Sequence, residues 1–172
     1  MKTQIIISFV LFTLTFPRTN ARSQLKDQTL IETTCRHTTN YQLCVDTIRA
    51  DPKSAGEDVA GLGLIVIEAV KAKSKAALSA AKRLLRSRPE LAEPLQECAS
   101  MYRAVIEADY PEAKESIRGN PKFAENGMAD AAVEANNCEW AFEGVAKSPL
   151  TAVNGAVRDL AVVARAIIRN LL

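Results

Sequence analysis

Along most of the chain, apolar positions recur at three- and four-residue steps, the period of a helix buried on one face. Val59, Leu62, Val66, Ala69/Val70, Leu78, Ala81 and Leu84/Leu85 keep these steps and predict a long helix from about Asp58, near its cap, to Arg88. Its middle is rich in Ala, Ser and Lys, helix formers that allow close packing. Leu91, Leu95, Cys98, Met101/Tyr102, Val105 and Ile106 predict a second helix from Pro89 to Arg118. Pro89 suits its first position, and Tyr110-Pro111 is expected to kink or interrupt it. A third helix is expected from Pro121 to about Val145, with Ala131, Val133/Glu134, Cys138 and Phe142 along its apolar face and Trp140 off that line. Asn126-Gly127 is expected to loosen its first turns, and Gly144 to Pro149 is a break. Leu150, Val153, Val157, Leu160/Ala161, Ala164, Ile167/Ile168 and Leu171 then mark a last helix, to Leu172, with the near-heptad spacing of a bundle face.

Residues 25–51 carry shorter signals: a helix from about Leu25 to Thr34 and another from about Thr39 to Ala50, closed by Asp51-Pro52. Such a hairpin is too small to bury a core alone and needs a staple, the main body or another copy of itself. Strand patterns and hairpin turns between alternating Val/Ile/Thr runs do not occur. The expected fold is therefore all-α: an up-down-up-down four-helix bundle over residues 53–172, preceded by a helical hairpin over residues 22–52.

Residues 1–21 resemble a cleavable secretory leader, with Lys2, an apolar run from Ile5 to Phe16, and small residues before a cut after Ala21. Without them the 22 basic residues fall to 20, because Lys2 and Arg18 leave, against 20 acidic ones. A neutral chain with no basic patch interleaved with aromatics speaks against nucleic acid as a partner. The apolar run is short for a membrane span, and the charged Arg158, Asp159, Arg165 and Arg169 exclude one in the last helix, so no membrane partner is expected either. Lys71, Lys73, Lys75, Lys82, Arg83, Arg86 and Arg88 read as a solvated basic end of their helix. The absence of an Asn-x-Ser/Thr sequon predicts no N-glycosylation.

Cys35, Cys44, Cys98 and Cys138 form an even set, which in a secreted chain implies two disulfides. Cys35 and Cys44 are neighbours in sequence. Cys98 lies 22 residues before Asn120, and Cys138 lies 17 after Pro121. At about 1.5 Å per helical residue both stand roughly 25–33 Å from the same corner, so antiparallel helices bring them level. The expected pairs are Cys35–Cys44, stapling the hairpin, and Cys98–Cys138.

That corner is Gly119-Asn120-Pro121-Lys122-Phe123. Asn120 suits an N-cap and Pro121 the first helical position, with Gly119 ending the preceding helix. Lys122 then faces the positive end of a helix dipole, an unfavourable place for a cation. Two readings stand: a solvated Lys with Phe123 folded back onto the core, or a cation and an aromatic presented to a partner.

Catalytic constellations are lacking. His37 is the lone His and sits in the hairpin turn, as a solvated residue or a pH sensor, so no Ser-His-Asp or Cys-His site can be assembled. Cys-x-x-Cys spacing and Gly-rich phosphate loops do not occur, and acid pairs such as Glu112/Glu115 read as solvated helix faces. The chain reads as a non-enzyme with no metal and no cofactor. Its abundant Ala argues for tight packing, against a carrier with a large internal cavity.

Glu32-Thr33-Thr34-Cys35, Asn40-Tyr41-Gln42-Leu43-Cys44, the later Cys98 and Cys138, Pro121-Lys122-Phe123-Ala124-Glu125-Asn126-Gly127 and the ending Arg165-Ala166-Ile167-Ile168-Arg169-Asn170-Leu171-Leu172 resemble the plant invertase inhibitor/pectin methylesterase inhibitor family across essentially all of the mature chain. Within it, Pro121, Lys122 and Phe123 look like the motif by which invertase inhibitors enter the sucrose-binding cleft. The resemblance implies an inhibitor of a plant acid invertase (a β-fructofuranosidase) in the cell wall or apoplast or in the vacuole, with pectin methylesterase as the alternative target. It also allows homodimers through the N-terminal hairpin. Asn126 stands where relatives often carry Asp. Carboxylates and His change charge between about pH 4 and 7, so the complex is expected to depend on pH there.

Overall fold

The structure, a computed structural model, describes residues 19–172, with side chains from Ser23 onward. The leader expected over residues 1–21 lies outside the described residues up to Arg18. Helix α1 (Thr19–Cys35) and α2 (Tyr41–Arg49) form the hairpin, α1 starting six residues earlier than its apolar pattern suggests. The bundle comprises α3 (Val59–Ser87), a rod made of α4 (Ala92–Ala104) and α5 (Tyr110–Ser116), α6 (Pro121–Trp140) and α7 (Thr151–Arg169). Helix α3 packs against α7 and the rod, and α6 packs against the same two from the opposite corner. This is the expected up-down-up-down arrangement.

The helix ends follow local chemistry. Asn40 caps α2 by accepting from Leu43 N–H (3.1 Å), and Asp58 caps α3 by accepting from Gly61 N–H (2.8 Å). Pro89 does not start a long helix. It opens a single 3₁₀ turn, Pro89–Leu91, and α4 begins after it with Pro94 in the first turn, where its missing N–H costs nothing. At Tyr110-Pro111 the rod neither breaks nor ends. Pro111 cannot donate to the carbonyl four residues back. The chain widens into a π-helical turn over Val105–Asp109, in which Tyr110 N–H reaches the Val105 carbonyl, and then resumes as α5.

The core is continuous from hairpin to bundle. Ile31, Val45 and Ile48 join Leu62, Val66, Val70, Leu95, Tyr102, Met128, Val157, Leu160 and Ile167. Disulfide Cys35–Cys44 staples the hairpin, and Cys98–Cys138 ties α4 to α6, all four cysteines being fully buried. The hairpin lies on α3 and α7 of its own bundle, which is why the first half of α3 is buried nearly all round rather than along one stripe.

Helix α6 corrects three expectations. It ends at Trp140 rather than about Val145, the chain turning before Gly144. Val133 is not on its apolar face but half exposed; the buried line is Ala124, Met128, Ala131, Ala135 and Cys138. Asn126-Gly127 does not loosen the helix either. Gly127 is buried where α6 crosses the π turn, and a Cβ there would stand 2.5 Å from the Asp109 carbonyl oxygen and 3.2 Å from the Ala113 nitrogen. Both are backbone atoms and cannot swing aside, so Gly127→Ala is expected to lower stability by about 2 kcal/mol despite alanine's better helix propensity. Chemical denaturation measures this, and an unchanged midpoint would refute the close approach.

One buried polar group links three helices. Asn154 of α7, placed among apolar neighbours, takes the Tyr102 hydroxyl on its Oδ1 and donates to Glu139 Oε2 (2.7 Å), joining three helices.

Candidate functional site: the corner before helix α6

The turn between α5 and α6 is short. Asn120 N–H donates to the Ser116 carbonyl at 2.7 Å, closing the rod, and Pro121 begins α6 with its fixed φ and no donor to leave unpaired. Gly119 lies in this turn without a positive φ and against open space, so its freedom is not what ends α5. Asn120 occupies the cap position, but its side chain makes no capping bond. Its carbonyl instead accepts from Phe123 N–H (3.0 Å).

Phe123 is 53% exposed, so it is not folded back onto the core. Lys122 is more exposed still, with 62% of its side chain open, yet its charge is engaged: Nζ lies 2.6 Å from Glu125 Oε2, three residues on. Lys122 is thus an exposed cation whose head is anchored to its own helix.

Glu125 is the residue that sequence reasoning missed. Its side chain is only 3% exposed, and three cations close on its carboxylate. Oε2 takes Lys122, and Oε1 takes Nε of both Arg165 (3.1 Å) and Arg169 (2.7 Å) from the last turns of α7. Hydrogen bonds from Lys122 and then Arg169, with Arg165 behind them, outweigh the cost of burial and pull its pKa down to about 2. Both arginines appear in the sequence motifs, but nothing local to Glu125 points to α7. The network is a buttress: α7 holds Glu125, and Glu125 holds the lysine head at the tip. One Lys donor is spent, leaving two for another molecule.

Helix α6 carries a second unusual acid contact. Asp109, at the end of the π turn, buries Oδ2 without a hydrogen-bond partner. Burial, and then the charges of Asp130, Glu134 and Glu112, raise its pKa to about 6. The two acids oppose each other in their effect on stability. Folded Asp109 binds a proton more readily than the unfolded chain, whose ordinary value is 3.8, so it costs stability as pH rises from about 4 to about 6 and above. Folded Glu125 binds it less readily than the ordinary value of 4.5, so its contribution is present above that pH and is lost as pH falls towards about 2. Taken together, the contributions of these two acids to stability are greatest near about pH 4. Asp109→Asn is expected to stabilise the protein by about 1–3 kcal/mol at pH 7 and to change little at about pH 3.5, below the ordinary carboxyl value. Urea unfolding at the two pH values reads this, and equal effects at both would refute it.

Among the described residues, no helix is long and apolar enough to cross a membrane. The family profile "Plant invertase/pectin methylesterase inhibitor" matches residues 29–167. The chain is 39% identical over 144 residues to "Cell wall / vacuolar inhibitor of fructosidase 1" of Arabidopsis thaliana, covering 83% of this chain and 69% of that one. It is 28% identical over 149 residues to a "Pectinesterase inhibitor" of Actinidia deliciosa, covering 84% and 80%. Among solved structures, it superposes on a mutant form of a pectin methylesterase inhibitor from Arabidopsis with a TM-score of 0.68 at 18% identity, over 81% of this chain and 95% of that one. That last likeness concerns the fold.

Proposed function

The chain belongs to the plant invertase/pectin methylesterase inhibitor family, and from that premise we propose that it inhibits a plant acid invertase by inserting Pro121, Lys122 and Phe123 into the sucrose-binding cleft. The observation that carries this reading is the exposed corner, where a buttressed cation and an aromatic ring stand side by side on a rigid helix end. Glycosidase clefts present carboxylates. The two remaining donors of Lys122 suit those carboxylates, and the Phe123 ring suits the apolar ground on which a sugar face rests. Pro121 and the Glu125 network order the tip before binding, so less entropy is lost on association. The 39% identity to an inhibitor of fructosidase supports the choice of target.

A second reading keeps the fold and directs it to pectin methylesterase, as the Actinidia relative's name says of that protein. A paired assay decides: purified cell-wall and vacuolar invertases and a pectin methylesterase, each titrated with the mature protein at pH 5. Inhibition of an invertase supports the proposal, and inhibition of pectin methylesterase alone overturns it. Delivery through the secretory pathway to the cell wall or vacuole belongs to the same proposal, as does action of residues 22–172 as one inhibitor domain.

A further inference from the structure

We propose that the far side of the buttress is a binding site for a small organic carboxylate. A recess of about 250 Å³ opens between the hairpin turn and the end of α7, lined by His37 and Thr39 on one side and Arg165 and Arg169 on the other, with Val162 and Ala166 at its apolar parts. It is separate from the inhibitory tip and independent of the tip's target.

Charge sets the class of ligand. Lys122, Arg165 and Arg169 share the single carboxylate of Glu125, which leaves an excess of two positive charges around it. Among the described residues, no acidic one lines the recess. Each guanidinium spends only its Nε on Glu125, so among the described residues both keep their Nη groups for another acceptor. Arginine's planar fork matches a carboxylate through two parallel hydrogen bonds. The carbonyl end of a helix repels anions, but here the Asn170 amide donates to the Ala166 and Ile167 carbonyls (3.2 Å each) and masks part of that end. Thr39 and His37 add a hydroxyl and an imidazole.

Size and lining narrow the class further. The recess is smaller than the roughly 300–1,000 Å³ of sites for drug-sized ligands. Val162 and Ala166 offer a carbon skeleton something to rest on, which inorganic phosphate lacks. A sugar acid or a di- or tricarboxylic acid fits both conditions. Bound there, it would bridge the hairpin to α7 and stiffen the side chains that hold Glu125.

The test is calorimetric titration of the mature protein at pH 5.5 with glucuronate, citrate, inorganic phosphate and, as an uncharged control, glucose. Saturable binding of glucuronate or citrate on the order of 1 mM, with none of glucose, is expected. Glucuronate alone identifies a sugar-acid site and citrate alone an organic-acid site; either outcome supports the class. Arg169→Gln is expected to weaken binding at least about 10-fold, a loss in proportion to a charge-assisted hydrogen bond. Because that variant also loosens Glu125, His37→Ala, which leaves Glu125 untouched, is expected to weaken it about 3-fold or more, as loss of one hydrogen bond would. Arg158→Gln, whose guanidinium pairs with Asp159, is expected to bind as the parent does. No saturation by about 50 mM, far above that scale, would overturn the site. So would undiminished binding by both the Arg169 and His37 variants, or phosphate binding as tightly as the organic acids.

Discussion

Replacing Lys122 with alanine is expected to weaken inhibition of an acid invertase by roughly 30- to 1,000-fold while lowering the inhibitor's own stability by only about 1–2 kcal/mol. The first figure follows from the place assigned to Lys122 in the proposed complex. A cation that is exposed when free and enclosed against carboxylates when bound behaves as an interface anchor, and truncating such anchors costs about 2–4 kcal/mol. The second follows from the free structure. The Lys122 side chain is 62% exposed, and Glu125 keeps both arginines when the lysine is removed, so no buried charge is orphaned. Only the lysine end of this pair is open, so losing its hydrogen bond to the buried carboxylate is expected to cost about 1–2 kcal/mol, more than the roughly 0–1 kcal/mol of a fully exposed pair. Inhibition constants against a cell-wall and a vacuolar invertase, with thermal unfolding alongside, measure both halves. Unchanged inhibition would show that the corner is not the contact. Loss of inhibition together with a large loss of stability would mean that Lys122 acts by holding the fold.

Replacing both Cys98 and Cys138 with alanine is expected to lower stability by about 4 kcal/mol. The bridge spans 40 residues and closes a loop containing α5, the corner and most of α6. In the chain-entropy account, opening a loop of that length in the unfolded state restores about 4 kcal/mol of disorder, against about 2.5 kcal/mol for the nine-residue separation of Cys35 and Cys44. Both sulfurs of the longer bridge are buried between α4 and α6, so the substitutions also remove packing. Denaturant unfolding of the double variant beside the parent gives the value. A loss below about 1 kcal/mol would mean that the unfolded chain holds α4 and α6 together without the bond. Because α6 carries the corner, inhibition is expected to fall wherever the double variant unfolds in part.

The sequence by itself determined the helices and the four-helix bundle. Three- and four-residue steps mark helix faces, and Pro, Gly, Asn and Asp mark the breaks between them to within a few residues. It also determined that Pro121 starts a helix at a corner, because proline's geometry is a property of the residue alone. Tertiary structure decided what holds that corner. Glu125 meets Arg165 and Arg169 across 40 and 44 residues, and that meeting depends on how α6 and α7 are rotated about their axes, which no one-dimensional period records. The same rotation turns Val133 outward and presses Gly127 against the rod. The widening of the rod before Pro111 was half legible. Proline announces a disturbance, but a break, a kink and a π turn satisfy it equally until α6 packs beside it. Local chemistry writes where helices begin and end, while the orientation of one helix on another is fixed by packing all of them at once.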